Sequence, residues 1–157
     1  MKTRVHALSD KGFPAPGLRF ATVGSAALES RADVTLALPK QPKKDGPVVL
    51  LLHGVLSSHW AWSGLGDVHK TLARLQEDPE FSQFTILMPS DGLSGLGSGY
   101  IDRHSGRFES WLMDDLLSLL PELAEGLSEK SSLYIGGLSM GGFGAIRCGL
   151  KHSARVK

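Results

Sequence analysis

One serine sits among glycines in the run YIGGLSMGGFGAIRCGL at 134–150, and its setting is the most chemically pointed in the chain. Gly137-Leu138-Ser139-Met140-Gly141 has the form G-x-S-x-G. It falls between an apolar run that reads as a strand and a run that reads as a helix. That context is the one a nucleophile elbow requires. The turn is so tight that flanking side chains would strike the neighbouring strand and helix, and glycine at 137 and 141 removes the Cβ that would clash. The turn lifts the hydroxyl above the sheet. It also sets Ser139 at the amino end of a helix, where unpaired N–H groups and the helix dipole favour negative charge. The chemistry served is attack on an acyl carbonyl, with the Met140 amide as one donor to the oxyanion. A blander reading stands beside it: Ser139 caps the helix, a common task for serine. A dinucleotide site is excluded, because Gly142-Phe143-Gly144 lies inside the first helical turn and no acidic residue follows Ser139 at all. No Walker lysine follows, which excludes a P-loop.

A second oxyanion donor is expected from the turn after an earlier strand. LLLHGVLSS supplies it: Gly54 lets the backbone turn sharply and the Val55 amide points towards Ser139. His53 ends that strand beneath the turn and reads as a structural histidine that holds it. An activated serine also needs a base and a carboxylate to orient the base. Downstream, the only histidine is His152, about 20 Å along the helix at ~1.5 Å per residue, too far to act. Of the upstream histidines, His59 and His104 fall in loops near the site edge and are the two worth testing.

Elements that alternate between strand and helix must hold these groups. LRFATVGSAAL (18–28) and ADVTLALP (32–39) suit a pair of early strands, and QPKKDGP (41–47) a turn. VVLLLH (48–53), FTILMP (84–89) and SLYIGG (132–137) are apolar runs of the kind that fill a parallel sheet covered on both faces. Residues 55–67 read as a loop. Residues 67–76 form a helix with Val68, Leu72 and Leu75 inward and Asp67 as cap. DGLSGLGSGYIDRHSG (91–106) is a long glycine-rich loop, a length that tends to be functional. From Phe108 an apolar stripe (Phe108, Leu112, Leu116, Leu119, Leu120, Leu123, Leu127) marks a helix that Pro121 kinks or divides, with Asp114 and Asp115 on the solvent side. Residues 140–152 form the last helix. The pattern predicts an α/β fold with a mainly parallel sheet. His53–Gly54, Pro89–Asp91 and Gly137–Ser139 then meet at the carboxyl ends of the strands, where ligands bind in such sheets.

Composition narrows the function classes. The chain has 157 residues, 41% hydrophobic and 21% charged, with a net charge of +1. That suits one domain, here 1–157, preceded by an irregular arm over 1–17. Nothing draws it to nucleic acid, and no apolar stretch is long enough for a membrane span. The N-terminus lacks a signal-peptide core. The single Cys148 reads as a small buried hydrophobe, consistent with a cytoplasmic setting.

LLLHGVLSSHWAW, TILMPSDGLSGLGSGY, RFESWLMDDLLSLLPEL and YIGGLSMGGFGAIRCGL, in this order and rough spacing, resemble the esterase branch of the α/β-hydrolases that holds esterase D and S-formylglutathione hydrolase. The resemblance runs from about Leu18 onward, and GLSMGG is its most specific piece. It implies an α/β-hydrolase fold, truncated here after the nucleophile-elbow helix. It also implies a serine carboxylesterase that takes a small acyl ester or thioester and uses no metal or cofactor. Ser139 matches the nucleophile, and Val55 and Met140 match the oxyanion amides. Asp91 and Tyr100 match a segment that borders the acyl pocket in relatives. The usual acid and base would lie beyond Lys157, which leaves the last strand as an unprotected edge and the chain alone inactive. Two alternatives stay open: a non-catalytic binding module, and an acyltransferase using the same acyl-enzyme. Substrate identity and oligomeric state have no signal in the sequence.

Overall fold

The structure, a computed structural model, describes residues 1–92 and 97–157. Residues 93–96, within the expected 91–106 loop, lie outside the described residues. Six strands form the main sheet: β1 (Arg4–Leu8), β2 (Leu18–Ser25), β3 (Ser30–Ala37), β4 (Val48–Leu52), β5 (Thr85–Pro89) and, after a small hairpin, β8 (Leu133–Gly137). Their order is β1-β2-β3-β5-β4-β8. The fold is the expected α/β architecture, but its sheet is mixed rather than mainly parallel. β1–β2, β2–β3 and β3–β5 pair antiparallel, and only β5–β4 and β4–β8 pair parallel. A four-residue turn between β2 and β3 forces the hairpin, whereas helical crossovers separate β4, β5 and β8.

β1 also corrects the expected irregular arm. Arg4–Leu8 pairs with β2 through a bulge and stays almost wholly exposed, so no apolar alternation announced it. The hairpin β6 (Asp102–Arg103) and β7 (Gly106–Arg107) sits inside the expected long loop.

Alternate residues of the parallel strands face opposite layers. Val48, Leu50 and Leu52 are fully buried on the face that carries Trp111, Leu112, Leu116, Leu120 and Leu123. Val49, Leu51, Ile86 and Met88 pack on the other face against Leu72, Trp62 and Val68. That second layer is α1 (Ala61–Gly64), in the region expected as a loop, and α2 (Val68–Leu75). α2 is rotated from its expected setting: His69, Leu72 and Gln76 are buried while Leu75 is exposed. Asp67 has a positive φ and makes no capping hydrogen bond.

The long stripe holds, but the helix is interrupted. α3 (Phe108–Ser110) runs into a π-helical stretch (Trp111–Leu116), and α4 (Leu120–Leu123) follows with Pro121 in its first turn, where a missing N–H costs nothing. Every expected stripe residue from Phe108 to Leu127 is buried. Asp115 is not simply solvated. Its carboxylate accepts hydrogen bonds from Thr3 Oγ1, Ser25 Oγ and the Ala27 amide, tying the π-helical stretch to the β2–β3 turn.

The last helix is α5 (Met140–Lys151). β8 is the sheet's end strand, and beside it Phe143, Ile146 and Leu150 of α5 form an exposed apolar stripe. At its free edge Val156 makes a parallel bridge to Leu133, and the Lys157 amide donates to the Leu133 carbonyl at 2.8 Å.

Candidate active site

β4 and β8 run parallel with Leu52 opposite Gly137, so the residues that follow each strand emerge side by side. Ser139 leaves β8 with φ 56° and ψ −118°, a positive φ that a side chain adopts only at a cost of order 1–3 kcal/mol. The turn is fixed by close backbone packing. A Cβ on Gly137 would lie 2.6 Å from the Gly141 carbonyl oxygen and 2.7 Å from that of Leu52. One on Gly141 would meet the Leu52 carbonyl and lie 2.7 Å from the His53 carbonyl oxygen. The Leu138 amide donates to the Leu52 carbonyl at 3.3 Å, and Gly141 donates back to Leu138 at 2.9 Å.

Ser139 is exposed, and its side chain makes no capping hydrogen bond to α5. Capping therefore does not account for it. A Cβ on Gly54 would stand 3.7 Å from Ser139 Cβ, which puts the His53–Val55 turn directly against the serine. Among the described residues, the amides of Val55 and Met140 have no hydrogen-bond partner. A cavity of about 390 Å³ opens here, lined by His53, Gly54, Val55, Ser57, Ala61, Trp62, Leu65, Gly66, Leu138 and Ser139. Trp62 is fixed by its indole N–H, which donates to the Leu52 carbonyl at 3.1 Å. Ala61, Trp62 and Leu65 lie in a stretch read as a loop, and the aromatic-aliphatic run WAWSGL was the signal that could have found them.

His53 is buried with both ring nitrogens engaged. The Asp91 amide donates to Nε2 at 3.2 Å, so Nδ1 carries the proton and donates to the Gly54 carbonyl at 2.7 Å. The ring braces the turn that carries Val55 and is not available as a base. The other five histidines are held elsewhere. His6 lies by Gly24, and His59 bonds Thr35 Oγ1 at 2.8 Å. His69 faces the opposite end of the sheet, His104 is in the β6–β7 turn, and His152 bonds Glu109 at 2.7 Å.

Asp91 and Tyr100, expected as pocket lining, are both buried and neither lines the cavity at Ser139. They brace it from behind. Asp91 Oδ2 accepts the Ser98 amide at 2.8 Å, and the Tyr100 hydroxyl donates to the His53 carbonyl at 3.0 Å. The Tyr100 ring fills the space over Gly144 of α5. Burial first, then the nearby Asp91 charge, raises the phenol's pKa well above its ordinary value, so Tyr100 stays a neutral donor. Tyr100→Phe leaves the His53 carbonyl without that donor and is expected to cost about 1–2 kcal/mol in urea unfolding; an unchanged midpoint would show the bond to be idle.

Glu109 had no signal in the sequence. Its carboxylate is buried under α5 and receives Arg147, Lys151 at 2.7 Å and His152 at 2.7 Å. Among the described residues no group of three or more His, Cys, Asp or Glu could hold a metal ion. Among the described residues no helix is long and apolar enough to cross a membrane.

The sheet order, the covering helices and the strained serine turn define an α/β-hydrolase fold. Solved structures agree. A ferulic acid esterase matches with TM-score 0.76 and 29% identity over 88% of this chain and 56% of its own. The S-formylglutathione hydrolase of Agrobacterium tumefaciens matches with TM-score 0.71 and 20% identity over 98% and 59%. A fluorophosphonate-binding serine hydrolase of Staphylococcus aureus matches with TM-score 0.70 and 18% identity over 88% and 53%. The chain thus spans between half and two thirds of the length of these structures. No curated protein matches it. The family model described as "Putative esterase" matches residues 25–157, and the chain belongs to that esterase family.

Proposed function

We propose that this chain carries the nucleophile and the oxyanion donors of a carboxylic-ester hydrolase. The observation that carries this reading is the state of Ser139: held at positive φ, on the wall of an apolar cavity, with a hydroxyl that the helix does not use as a cap. Ser139 attacks the ester or thioester carbonyl, its proton passing to a base. The Val55 and Met140 amides stabilise the oxyanion, and collapse expels the alcohol or thiol with a proton returned from the base. Water then releases the acid from the acyl-enzyme. Trp62 and Leu65 suit a compact apolar or aromatic acyl group, in keeping with the ferulic acid esterase similarity. His53 has both ring nitrogens engaged, and His59 and His152 bond Thr35 and Glu109, which supports assigning the base and its carboxylate to polypeptide outside residues 1–157. Residues 1–157 alone then turn over esters negligibly.

An external base tests this. With p-nitrophenyl butyrate and added imidazole, the chain is expected to gain one butyryl group at Ser139, detected by intact mass and peptide mapping. The rate rises with imidazole and falls at least about tenfold in Ser139→Ala. No adduct at Ser139, or an equal yield in Ser139→Ala, removes the serine from the mechanism and favours a binding module.

A further inference from the structure

A second cavity, about 380 Å³, lies at the opposite end of the sheet from Ser139, between α2, the ends of β2 and β3, and the residues after α4. Its size falls in the range of small-molecule sites, about 300–1,000 Å³. Leu38, Ala73 and Ala124 give it apolar walls, and Lys11, Arg19 and Lys40, with the single carboxylate Glu125, give it a rim of net positive charge.

Two residues that line this cavity carry buried polar atoms without a partner. Among the described residues, three buried side-chain polar atoms lack a hydrogen-bond partner: Arg19 Nε, His69 Nδ1 and Gln76 Nε2. Arg19 and His69 line the cavity, and His69 is 7% exposed. Gln76 adjoins it, since its Oε1 accepts the amide of Lys40, another lining residue. Each such orphan costs about 1–3 kcal/mol, so clustered orphans call for an explanation.

Charge selects the occupant. Lys11 is paired with Glu125 and Lys40 with Glu77, both at the exposed rim. Arg19 has no carboxylate partner among the described residues; its guanidinium makes one long contact, 3.4 Å, to the Leu123 carbonyl. A planar donor fork beside an apolar wall matches a carboxylate carrying a short apolar chain.

We propose that this distal cavity binds a small apolar monocarboxylate, with the carboxylate on Arg19 and the chain against Leu38, Ala73 and Ala124. Binding here does not depend on the chemistry of Ser139, and the two readings fail separately.

Hexanoate is the probe, titrated into the isotope-labelled chain at constant ionic strength. Saturable amide and ring shifts are expected at Gly17, His69 and Ala73, with an affinity of about 1 mM for a ligand of this size. Arg19→Met should weaken binding at least about tenfold, as should replacing hexanoate by hexanol. Ala73→Leu fills the cavity without removing a charge and should also abolish the shifts, which guards against misfolding in the Arg19 variant. Ser139→Ala should bind hexanoate as the parent does. Linear, non-saturating shifts, equal binding of hexanol, or shifts confined to Val55, Trp62 and Leu65 would each overturn the assignment.

Discussion

Gly141→Ala is expected to cost more than about 3 kcal/mol and to leave the chain largely unfolded, although one methyl group is all it adds. The new Cβ would collide with the Leu52 carbonyl and lie 2.7 Å from the His53 carbonyl oxygen. Neither obstacle is the loose end of a side chain. Leu52 ends β4, paired in register with Gly137 of β8. Its carbonyl already accepts the Leu138 amide and the Trp62 indole. Moving it disturbs the serine turn and the wall of the adjoining cavity together. Two controls separate this collision from any general effect of alanine. At Gly54 a Cβ meets its nearest atom, the Leu138 carbonyl oxygen, at 3.5 Å, so Gly54→Ala should change stability by less than about 1 kcal/mol. At Gly149, inside α5, the nearest atom is 3.9 Å away, and alanine should stabilise by about 0.5–1 kcal/mol through helix propensity. Urea unfolding followed by circular dichroism orders the three. A Gly141→Ala midpoint near the parent's would mean that β4 and α5 are not packed backbone to backbone.

The same turn shows why this part of the molecule was legible in the sequence. Its constraints are local: two glycines, a serine between them, a strand before and a helix after. The buried strands were legible because β4 and β5 are apolar on both faces, and the stripe from Phe108 to Leu127 because its spacing survives the π-helical interruption. What escaped depends on neighbours distant in sequence. β1 is exposed and is held by pairing to β2, not by its own pattern. The mixed sheet follows from β3 pairing with β5, about 50 residues downstream by number, which no periodicity encodes. Asp91 and Tyr100 lie near the site but, among the described residues, do not line the cavity at Ser139. The resemblance implied a pocket border, whereas both are buried behind the cavity at Ser139, Tyr100 holding the His53 carbonyl and Asp91 the Ser98 amide.

Glu109 is the sharpest case of a long-range determinant, and its removal should have the second large effect. The carboxylate is 4% exposed and joins α3 to Arg147 and Lys151 of α5 and to His152 just after it. Asp102 anchors the other side, accepting the amides of Glu109 at 2.8 Å and Ser110 at 3.0 Å. The helix that begins at Ser139 is thus tied at its far end to the segment leading from the loop behind the site. Burial alone would raise the pKa of Glu109. Hydrogen bonds from Lys151, then Arg147 and His152, outweigh it and hold the pKa at about 2. The folded value lies below the ordinary 4.5, so the stabilisation is complete above pH 4.5 and is lost as pH falls towards 2. Its size is about 2–3 kcal/mol, because its partners are partly exposed and one unit of pKa is worth about 1.4 kcal/mol. Glu109→Gln keeps the shape and removes the charge. At pH 7 it should lower stability by about that amount, and the gap from the parent should close as pH falls from 5 to 2, where protonation has already neutralised Glu109. Comparing the two proteins cancels the other acidic groups, which titrate alike in both. Parallel stability curves across that range would mean that Arg147, Lys151 and His152 do not act on this carboxylate, and that α5 is held at the serine turn alone.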